Sequence, residues 1–249
     1  MKQIGITETY DPCFVPDWET RLLEANIIIS KELSDEMIEK LLITQDRVIF
    51  HHTITGMGGS ELEPNVKPVM QEFEQFMKLI SSSFDISHYV LRLDPMMPFS
   101  PEHMIKIRCV LSIWADYLKR RNKKIRCRVS VVDLYPHVKA RIKDKLNLKL
   151  PWDTFTAPKM VFEHLEKVLA EYTDTFSFEC CAEQQFISNF IDHCGCASLK
   201  DIEILQKDKN EYGQPEKKQR QECQCIAKKQ ILGVKPERCA HQCLYCFWK

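Results

Sequence analysis

Short hydrophobic segments alternate with longer amphipathic segments along almost the whole chain. The short segments are rich in β-branched and aromatic residues, and they cover residues 3–7, 27–29, 47–55, 89–93, 125–134 and 176–181. Their length and composition are typical of β-strands. Because amphipathic segments separate most of them, the pattern predicts alternating strands and helices.

Three of the separating segments place their apolar residues on one face of a helix. The stripes contain Val66, Val69, Met70, Phe73, Phe76, Met77 and Ile80; Met104, Ile107, Leu111, Trp114 and Leu118; and Val161, Leu165, Val168, Leu169 and Tyr172. Ser100 and Pro101 predict the start of the second helix, as its N-cap and its first-turn residue. We interpret all three stripes as faces that pack on the core.

The alternation predicts a parallel α/β sheet, and a β/α unit repeated over 249 residues predicts a TIM-like barrel that is closed or partial. We expect residues 1–205 to form this barrel. Residues 206–249 start as a polar, lysine-rich loop and then become rich in cysteine. We expect this cysteine-rich segment to pack on the barrel mouth, with Phe247 and Trp248 against the barrel or a partner.

Polar residues stand at the ends of consecutive predicted strands. Arg92 and Asp94 end the fourth predicted strand, Asp133 ends the fifth and Glu183 follows the sixth. The carboxyl ends of barrel strands surround one mouth, where binding sites are built. We therefore expect these four side chains to hold a cofactor and a substrate. The alternative is that each of them caps the helix that follows.

Composition and charge narrow the class of protein. Thirty-five basic residues balance 35 acidic ones, so no overall field attracts nucleic acid or a membrane surface. The chain has no long apolar run and no apolar leader, which predicts a cytoplasmic protein without a membrane partner. The basic run 119–124, continued by Arg126 and Arg128, favours a solvated helix end, and a nucleic-acid contact is the alternative.

Twelve cysteines in a chain without a leader favour metal or redox chemistry over disulfides. Cys239, Cys243 and Cys246 are spaced C-x-x-x-C-x-x-C, with Tyr245 before the last. Three thiolates at this spacing can bind three irons of a [4Fe–4S] cube and leave the fourth iron open. An open iron can chelate S-adenosylmethionine, with Tyr245 against the adenine. The alternatives are unligated thiols and a zinc knuckle completed by His241 or by another cysteine.

A second candidate metal site involves cysteines from three parts of the chain. Cys223 and Cys225 form a C-x-C pair that cannot complete a four-coordinate site alone. Cys181 and Cys196 would complete it, as ligands of a second iron–sulfur cluster or of zinc. Cys180 and Cys181 point to opposite faces of a strand, so at most one of them is expected to be a ligand. The alternative is a buried core thiol.

The C-terminal spacing, including the aromatic residue at Tyr245, resembles the signature of radical S-adenosylmethionine enzymes. The whole chain is also similar to an uncharacterised bacterial family of small proteins that end in such a cluster. The stretches that carry this second resemblance are residues 50–56, 63–66, 91–95, 131–135, 181–183 and 219–225, and the final cysteines.

The resemblance to radical enzymes implies a full or partial β/α barrel and reductive cleavage of S-adenosylmethionine to a deoxyadenosyl radical. It also implies an electron donor such as a flavodoxin or a ferredoxin, and it leaves the substrate open. In typical members the three cysteines follow the first strand, whereas here they come last. The rival hypothesis is a non-enzymatic binding protein stabilised by iron–sulfur or zinc, with a nucleic-acid contact through the basic run.

Overall fold

Eight parallel strands form one sheet at the centre of the protein. The structure, a computed structural model, describes residues 1–15, 17–146, 150–181, 183–213, 223–226, 228–233 and 239–247. The strands are β1 (Ile4–Ile6), β2 (Asn26–Ser30), β3 (Val48–Thr53), β4 (Tyr89–Met96), β5 (Ile125–Val131), β6 (Phe176–Cys180), β7 (Ile191–His193) and β8 (Lys229–Ile231). They lie in the order β7-β6-β5-β4-β3-β2-β1-β8 across the sheet.

The strand order is that of a β/α barrel opened between β7 and β8. Each strand from β1 to β7 pairs in parallel with its neighbour in the chain, and β8 pairs in parallel with β1. Within the described part of the chain, no ladder joins β7 to β8. The predicted α/β class and parallel sheet are therefore confirmed, but the sheet is open and the predicted barrel is not closed by strand pairing.

Six α-helices lie within the residues that the structure describes. They are α1 (Asp35–Thr44), α2 (Val69–Ser81), α3 (Pro101–Lys119), α4 (Pro136–Leu146), α5 (Lys159–Ala170) and α6 (Leu199–Ile204). The three predicted stripes lie on α2, α3 and α5, except for Val66, which precedes α2, and Tyr172, which follows α5. None of the described helices has both the length and the apolar character needed to cross a bilayer.

The six predicted strands are present as β1 to β6, with shifted ends, and the described part of the chain adds two further strands to the sheet. Strands β7 and β8 have three residues each and form the two open edges. Because β8 lies within residues 206–249, this segment supplies part of the sheet as well as the cysteines. Residues 219–222, which carry part of the family resemblance, and Trp248 lie outside the described residues.

The two faces of the sheet differ in chemistry. Towards the helices, aromatic side chains such as Phe50, Phe76 and Trp114 are fully buried in the main core. On the opposite face, here called the inner face, Ile27 and Ile49 belong to a smaller apolar cluster. Strands β1, β2 and β3 supply part of that cluster, whereas β4, β5 and β6 carry charged residues on the inner face. The inner face therefore has a polar region on β4, β5 and β6 beside an apolar region.

The N-cap of α3 gives a simple test of the fold. Ser100 is extended, and its Oγ accepts a hydrogen bond from the backbone N–H of His103 at 3.2 Å. We expect Ser100→Ala to lower the free energy of unfolding by about 1 kcal/mol, because an N–H in the first turn loses its partner. Urea denaturation measures this change. Ser100→Asp, which also caps, should retain most of the stability, and equal losses in both variants would contradict the assignment.

Candidate functional site

A row of charged residues crosses the inner face of β4, β5 and β6. The register places Arg92 opposite Arg128, and Arg128 opposite Glu179. Glu179 accepts hydrogen bonds from Arg126 at 2.9 and 3.0 Å and from Arg128 at 2.8 Å. Burial alone would raise the pKa of Glu179, but the two arginines outweigh burial and hold that pKa well below its usual range. Glu179, Arg126 and Arg128 therefore form a buried network of charged side chains on the inner face of the sheet.

His51 is fully buried on β3 close to this row. Among the described residues, neither of its ring nitrogens has a hydrogen-bond partner, and the same holds for the Nε atoms of Arg92 and Arg128. Burial, together with the charges of Arg128, Arg126 and Arg92, holds the pKa of His51 well below its usual range, so the ring is neutral. Buried polar groups normally bind protein, water or a ligand. The His51 ring and the Nε–H groups of Arg92 and Arg128 could therefore donate hydrogen bonds to acceptor or anionic atoms of a ligand.

The four strand-end residues expected to hold a cofactor and a substrate lie near one another in the sheet. Arg92 and Asp94, at the end of β4, form an ion pair with each other. Glu183, beyond β6, accepts hydrogen bonds from the backbone N–H of Val131 at 3.0 and 3.2 Å. Asp133 follows β5 and is half-buried. All four therefore lie at the carboxyl ends of β4, β5 and β6, and Arg92 also belongs to the charged row.

Residues 239–247, here called the mouth segment, are tied to the loops that follow β1, β2 and β3. His241 donates a hydrogen bond to Asp11, in the loop after β1, at 2.8 Å. Tyr245 donates its hydroxyl proton to the buried Glu63, which lies beyond β3. Glu63 also binds the ammonium group of Lys31, directly after β2, at 2.8 Å. Burial alone would raise the pKa of Glu63, but Lys31 outweighs burial and lowers it. Contacts with the buried carboxylates of Asp11 and Glu63 thus hold this half of the mouth segment.

The end of the mouth segment reaches the other side of the sheet. His137, on α4 after β5, donates a hydrogen bond to the carbonyl of Phe247 at 2.9 Å. Arg141, also on α4, donates to the carbonyl of Cys246. The rings of Phe247 and Tyr135 are stacked with their centroids 6.1 Å apart. The mouth segment therefore spans the carboxyl ends of the strands, from the loop after β1 to the helix after β5.

The three C-terminal cysteines, Cys239, Cys243 and Cys246, lie on two successive turns of the mouth segment. The carbonyl of Cys239 accepts from the N–H of Gln242 at 3.3 Å, and the carbonyl of Cys243 accepts from the N–H of Cys246 at 3.2 Å. Cys243 is buried, Cys246 half-buried and Cys239 exposed. Burial raises the pKa of Cys243 to about 12, although Lys31 acts in the opposite direction. The three sulfur atoms do not gather tightly enough to bind a single ion in this conformation.

Cysteines from three parts of the chain meet on the open side of the sheet. The Sγ atoms of Cys181, Cys196 and Cys225 lie within 4.8 Å of one another and could hold a metal ion. Cys223 is buried next to them, and its Sγ accepts from the backbone N–H of Cys225 at 3.5 Å. The four are here called the four-cysteine group. Cys180 points to the opposite face and belongs to the main core, as the alternation of strand side chains requires.

Hydrogen bonds link the thiols of the four-cysteine group. Hydrogen bonds with Cys196, Cys223 and Cys225 raise the pKa of Cys181. The hydrogen bond from Cys181 is the largest cause that lowers the pKa of Cys223 and of Cys225. Thiolates are the form of cysteine that binds metals. Hydrogen bonding within the group therefore favours the thiolate form of Cys223 and Cys225.

Part of the basic run faces the inside of the protein. Arg126 and Arg128 are buried on the inner face of β5, where both bind Glu179. At the helix end, the guanidinium of Arg121 lies 3.7 Å from the ring centre of Tyr117. Within this basic run, residues 119–124 are exposed and remain accessible to a partner such as nucleic acid.

Sequence reasoning did not assign a site role to Asp11, Lys31, Glu63 or His51. A usable signal existed for Lys31, because it directly follows a strand that is buried along its whole length. Glu63 and Asp11 lie in loops, and their partners on the mouth segment are 182 and 230 residues away in the chain. Local patterns carry no information about such distant pairs.

The fold and these sites define an α/β protein with an open parallel sheet and a cysteine group that could hold a metal ion. The model of a family described as Domain of unknown function (DUF1848) matches residues 17–248, and the chain belongs to this family. Neither a curated protein nor a solved structure gives a significant match to the chain.

Proposed function

We propose that this protein is a radical S-adenosylmethionine-type iron–sulfur enzyme that binds its substrate on the inner face of the sheet. The observation that carries the proposal is the position of the mouth segment, which holds the C-terminal cysteines across the carboxyl ends of the strands. Lys31 links the two regions, because its ammonium group lies in the electrostatic range of both Cys243 and Arg92. Binding sites of β/α barrels are built at this end of the strands.

The chain's residues fit a [4Fe–4S] cluster at Cys239, Cys243 and Cys246. In such a cube each thiolate binds a different iron, so its ligands stand further apart than the ligands of one ion. The three sulfurs are spread over two turns, which suits this wider spacing. Lys31 supplies a positive charge near Cys243 that favours its thiolate form. When bound, the cluster would supply the electron that cleaves S-adenosylmethionine reductively to a deoxyadenosyl radical.

The protein's own contribution would be to bind and orient the molecules around the cluster. Arg92 and His51 present buried groups without described partners, which suit carboxylate or phosphate oxygens of a cofactor or substrate. Asp94, Asp133 and Glu183 offer carboxylates to amino or hydroxyl groups at the same strand ends. The mouth segment would cover these groups and exclude water, which strengthens electrostatic interactions inside.

Anaerobic reconstitution tests the proposal. The protein loaded with iron and sulfide is expected to show the visible absorbance of one [4Fe–4S] cluster, to bind S-adenosylmethionine and, with dithionite as reductant, to release deoxyadenosine. The triple variant Cys239→Ala, Cys243→Ala, Cys246→Ala should lose the absorbance of this cluster and the cleavage activity. Cys109→Ala, at an exposed thiol on α3, is the matched control and should retain both.

Two results would refute the proposal. One is a triple variant that keeps all of its iron and sulfide. The other is a protein that holds zinc tightly at the C-terminal cysteines and binds no S-adenosylmethionine, which would favour the non-enzymatic binding protein. Once the cofactor is shown to bind, Arg92→Met should weaken its binding or that of the substrate without loss of the cluster.

A further inference from the structure

The open side of the sheet is bridged by chain segments that do not form strands. Residues 194–197 follow β7 and residues 223–226 precede β8, and the two segments lie side by side. The N–H of Ile226 donates to the carbonyl of Ala197 at 2.8 Å. A Cβ atom at Gly195 would lie only 2.5 Å from the carbonyl oxygen of Gln224, so this approach requires glycine. Close backbone contact therefore links the segment after β7 to the segment before β8, although no ladder joins these two strands within the described residues.

The four-cysteine group occupies this contact. Cys181 directly follows β6, Cys196 lies beyond β7, and Cys223 and Cys225 precede β8. The group thus connects β6 and β7, on one side of the gap, to β8 on the other side. We propose that Cys181, Cys196, Cys223 and Cys225 bind one tetrahedral metal ion of the zinc class, which fastens the open side of the sheet. The proposal is independent of the C-terminal cysteines and of the proposed radical chemistry.

The distances between the sulfurs favour a single ion over an iron–sulfur cube. Zinc–thiolate bonds of about 2.3 Å in a tetrahedral site place sulfur atoms about 3.8 Å apart. The Sγ atoms of Cys181 and Cys225 are 4.0 Å apart, and Cys196 lies within 4.8 Å of both. The ligands of a cube bind separate irons and stand further apart. Structural zinc sites have four protein ligands. Cys223 would supply the fourth, because it is buried and its Sγ accepts from the backbone N–H of Cys225 at 3.5 Å.

The surroundings suit the charge of such a site. Four thiolates and one divalent ion leave two negative charges. Arg92, Arg128 and Lys229 lie in electrostatic range of cysteines of the group. The backbone N–H of Cys196 donates to the Sγ of Cys225 at 3.1 Å. Hydrogen bonds and charges of this kind support the ligands of metal sites and tune the metal they hold.

Metal analysis of the whole protein tests the proposal. Protein purified without added metal is expected to contain one zinc ion per chain by mass spectrometry of the native protein. Cobalt exchanged for zinc should give the visible bands of a tetrahedral thiolate site. The double variant Cys223→Ser, Cys225→Ser should lose this metal. Cys109→Ser and the triple alanine variant of the C-terminal cysteines should both keep it, which separates the two sites.

Hydrogen exchange in the wild-type protein tests whether the metal ion stabilises the open side of the sheet. Removal of zinc from the wild-type protein by a chelator should increase hydrogen exchange in residues 191–198 and 223–231 more than in β4 and β5, and zinc should reverse the effect. This measurement remains decisive where the double variant does not fold. The proposal would be overturned by a wild-type protein with four free thiols and no metal. A disulfide between Cys181 and Cys225 would also overturn it, as would iron and sulfide that remain in the triple variant.

Discussion

Replacing Glu179 by Gln is expected to lower the free energy of unfolding by about 3–5 kcal/mol, because it leaves buried arginines without their counter-charge. Glu179 is fully buried, and it binds Arg126, Arg128 and Lys200. Arg126 keeps a second partner in the buried Asp201 at 2.7 Å. Arg128 has no other acidic partner within bonding distance among the described residues. Urea denaturation of the two proteins at neutral pH measures the difference.

The pH dependence gives this prediction an independent check. The pKa of Glu179 lies well below its ordinary value of 4.5 in the folded protein. A lowered pKa contributes stability that is present above the unfolded pKa and is lost as pH falls towards the folded one. The stability difference between wild type and Glu179→Gln should therefore shrink on acidification below about pH 4. A constant difference across that range would contradict the assignment.

Glu171→Gln is the matched control for the same substitution on the surface. Glu171 binds Arg108 through two hydrogen bonds of 2.5 and 2.9 Å, and both side chains are largely exposed. Exposed ion pairs contribute about 0–1 kcal/mol, so the control should change the free energy of unfolding only slightly. Equal losses at the two positions would show that burial does not set the strength of the Glu179 network.

The sequence predicted the centre of the sheet because its strands are buried on both faces. β2 and β3 are buried at every position. Their residues 27–29 and 48–50 appear in the sequence as short apolar runs. The edge strands gave no such signal. β8 consists of Lys229, Gln230 and Ile231, none of them fully buried, and its pairing with β1 joins residues more than 200 positions apart in the chain. Local sequence patterns do not predict the pairing of strands that are so far apart in the chain.

The cysteines were the part of the site that sequence reasoning placed best, because few residue types can bind a metal and cysteine is rare. Spacing alone grouped Cys223 and Cys225 with Cys181 and Cys196. The structure brings Cys181, Cys196 and Cys225 together and places Cys223 beside Cys225. The alternation of a strand separated Cys181 from Cys180. The charged inner face was not predicted, because arginine and glutamate are usually found on solvated surfaces. Nothing in the local sequence distinguishes Arg126, Arg128 and Glu179 from such surface residues. Only the register of three strands makes them neighbours.

Replacing Glu63 by Gln is expected to loosen the mouth segment and to shorten the lifetime of a cluster on the C-terminal cysteines, although every ligand is retained. Glu63 is 1% exposed and joins Lys31, Thr55 and Tyr245. Without the carboxylate, the largely buried Lys31 loses its counter-charge, which we expect to cost about 3 kcal/mol. Iron–sulfur clusters depend on burial and on the groups around their sulfurs. The decay of visible absorbance in air measures the lifetime of the cluster.

Hydrogen exchange then locates the effect of Glu63→Gln, because a loosened segment exposes its own backbone first. Exchange should rise in residues 239–247 and in the loop around Leu62, whose carbonyl accepts from the N–H of Leu244 at 3.0 Å. Tyr245→Phe removes one hydrogen bond but leaves the Lys31–Glu63 pair, so its effect should be smaller. Glu61→Gln is the matched control, since Glu61 is exposed on the same loop. A cluster that decays equally fast in wild type, Glu61→Gln and Glu63→Gln would show that the buried carboxylate does not hold the mouth segment in place.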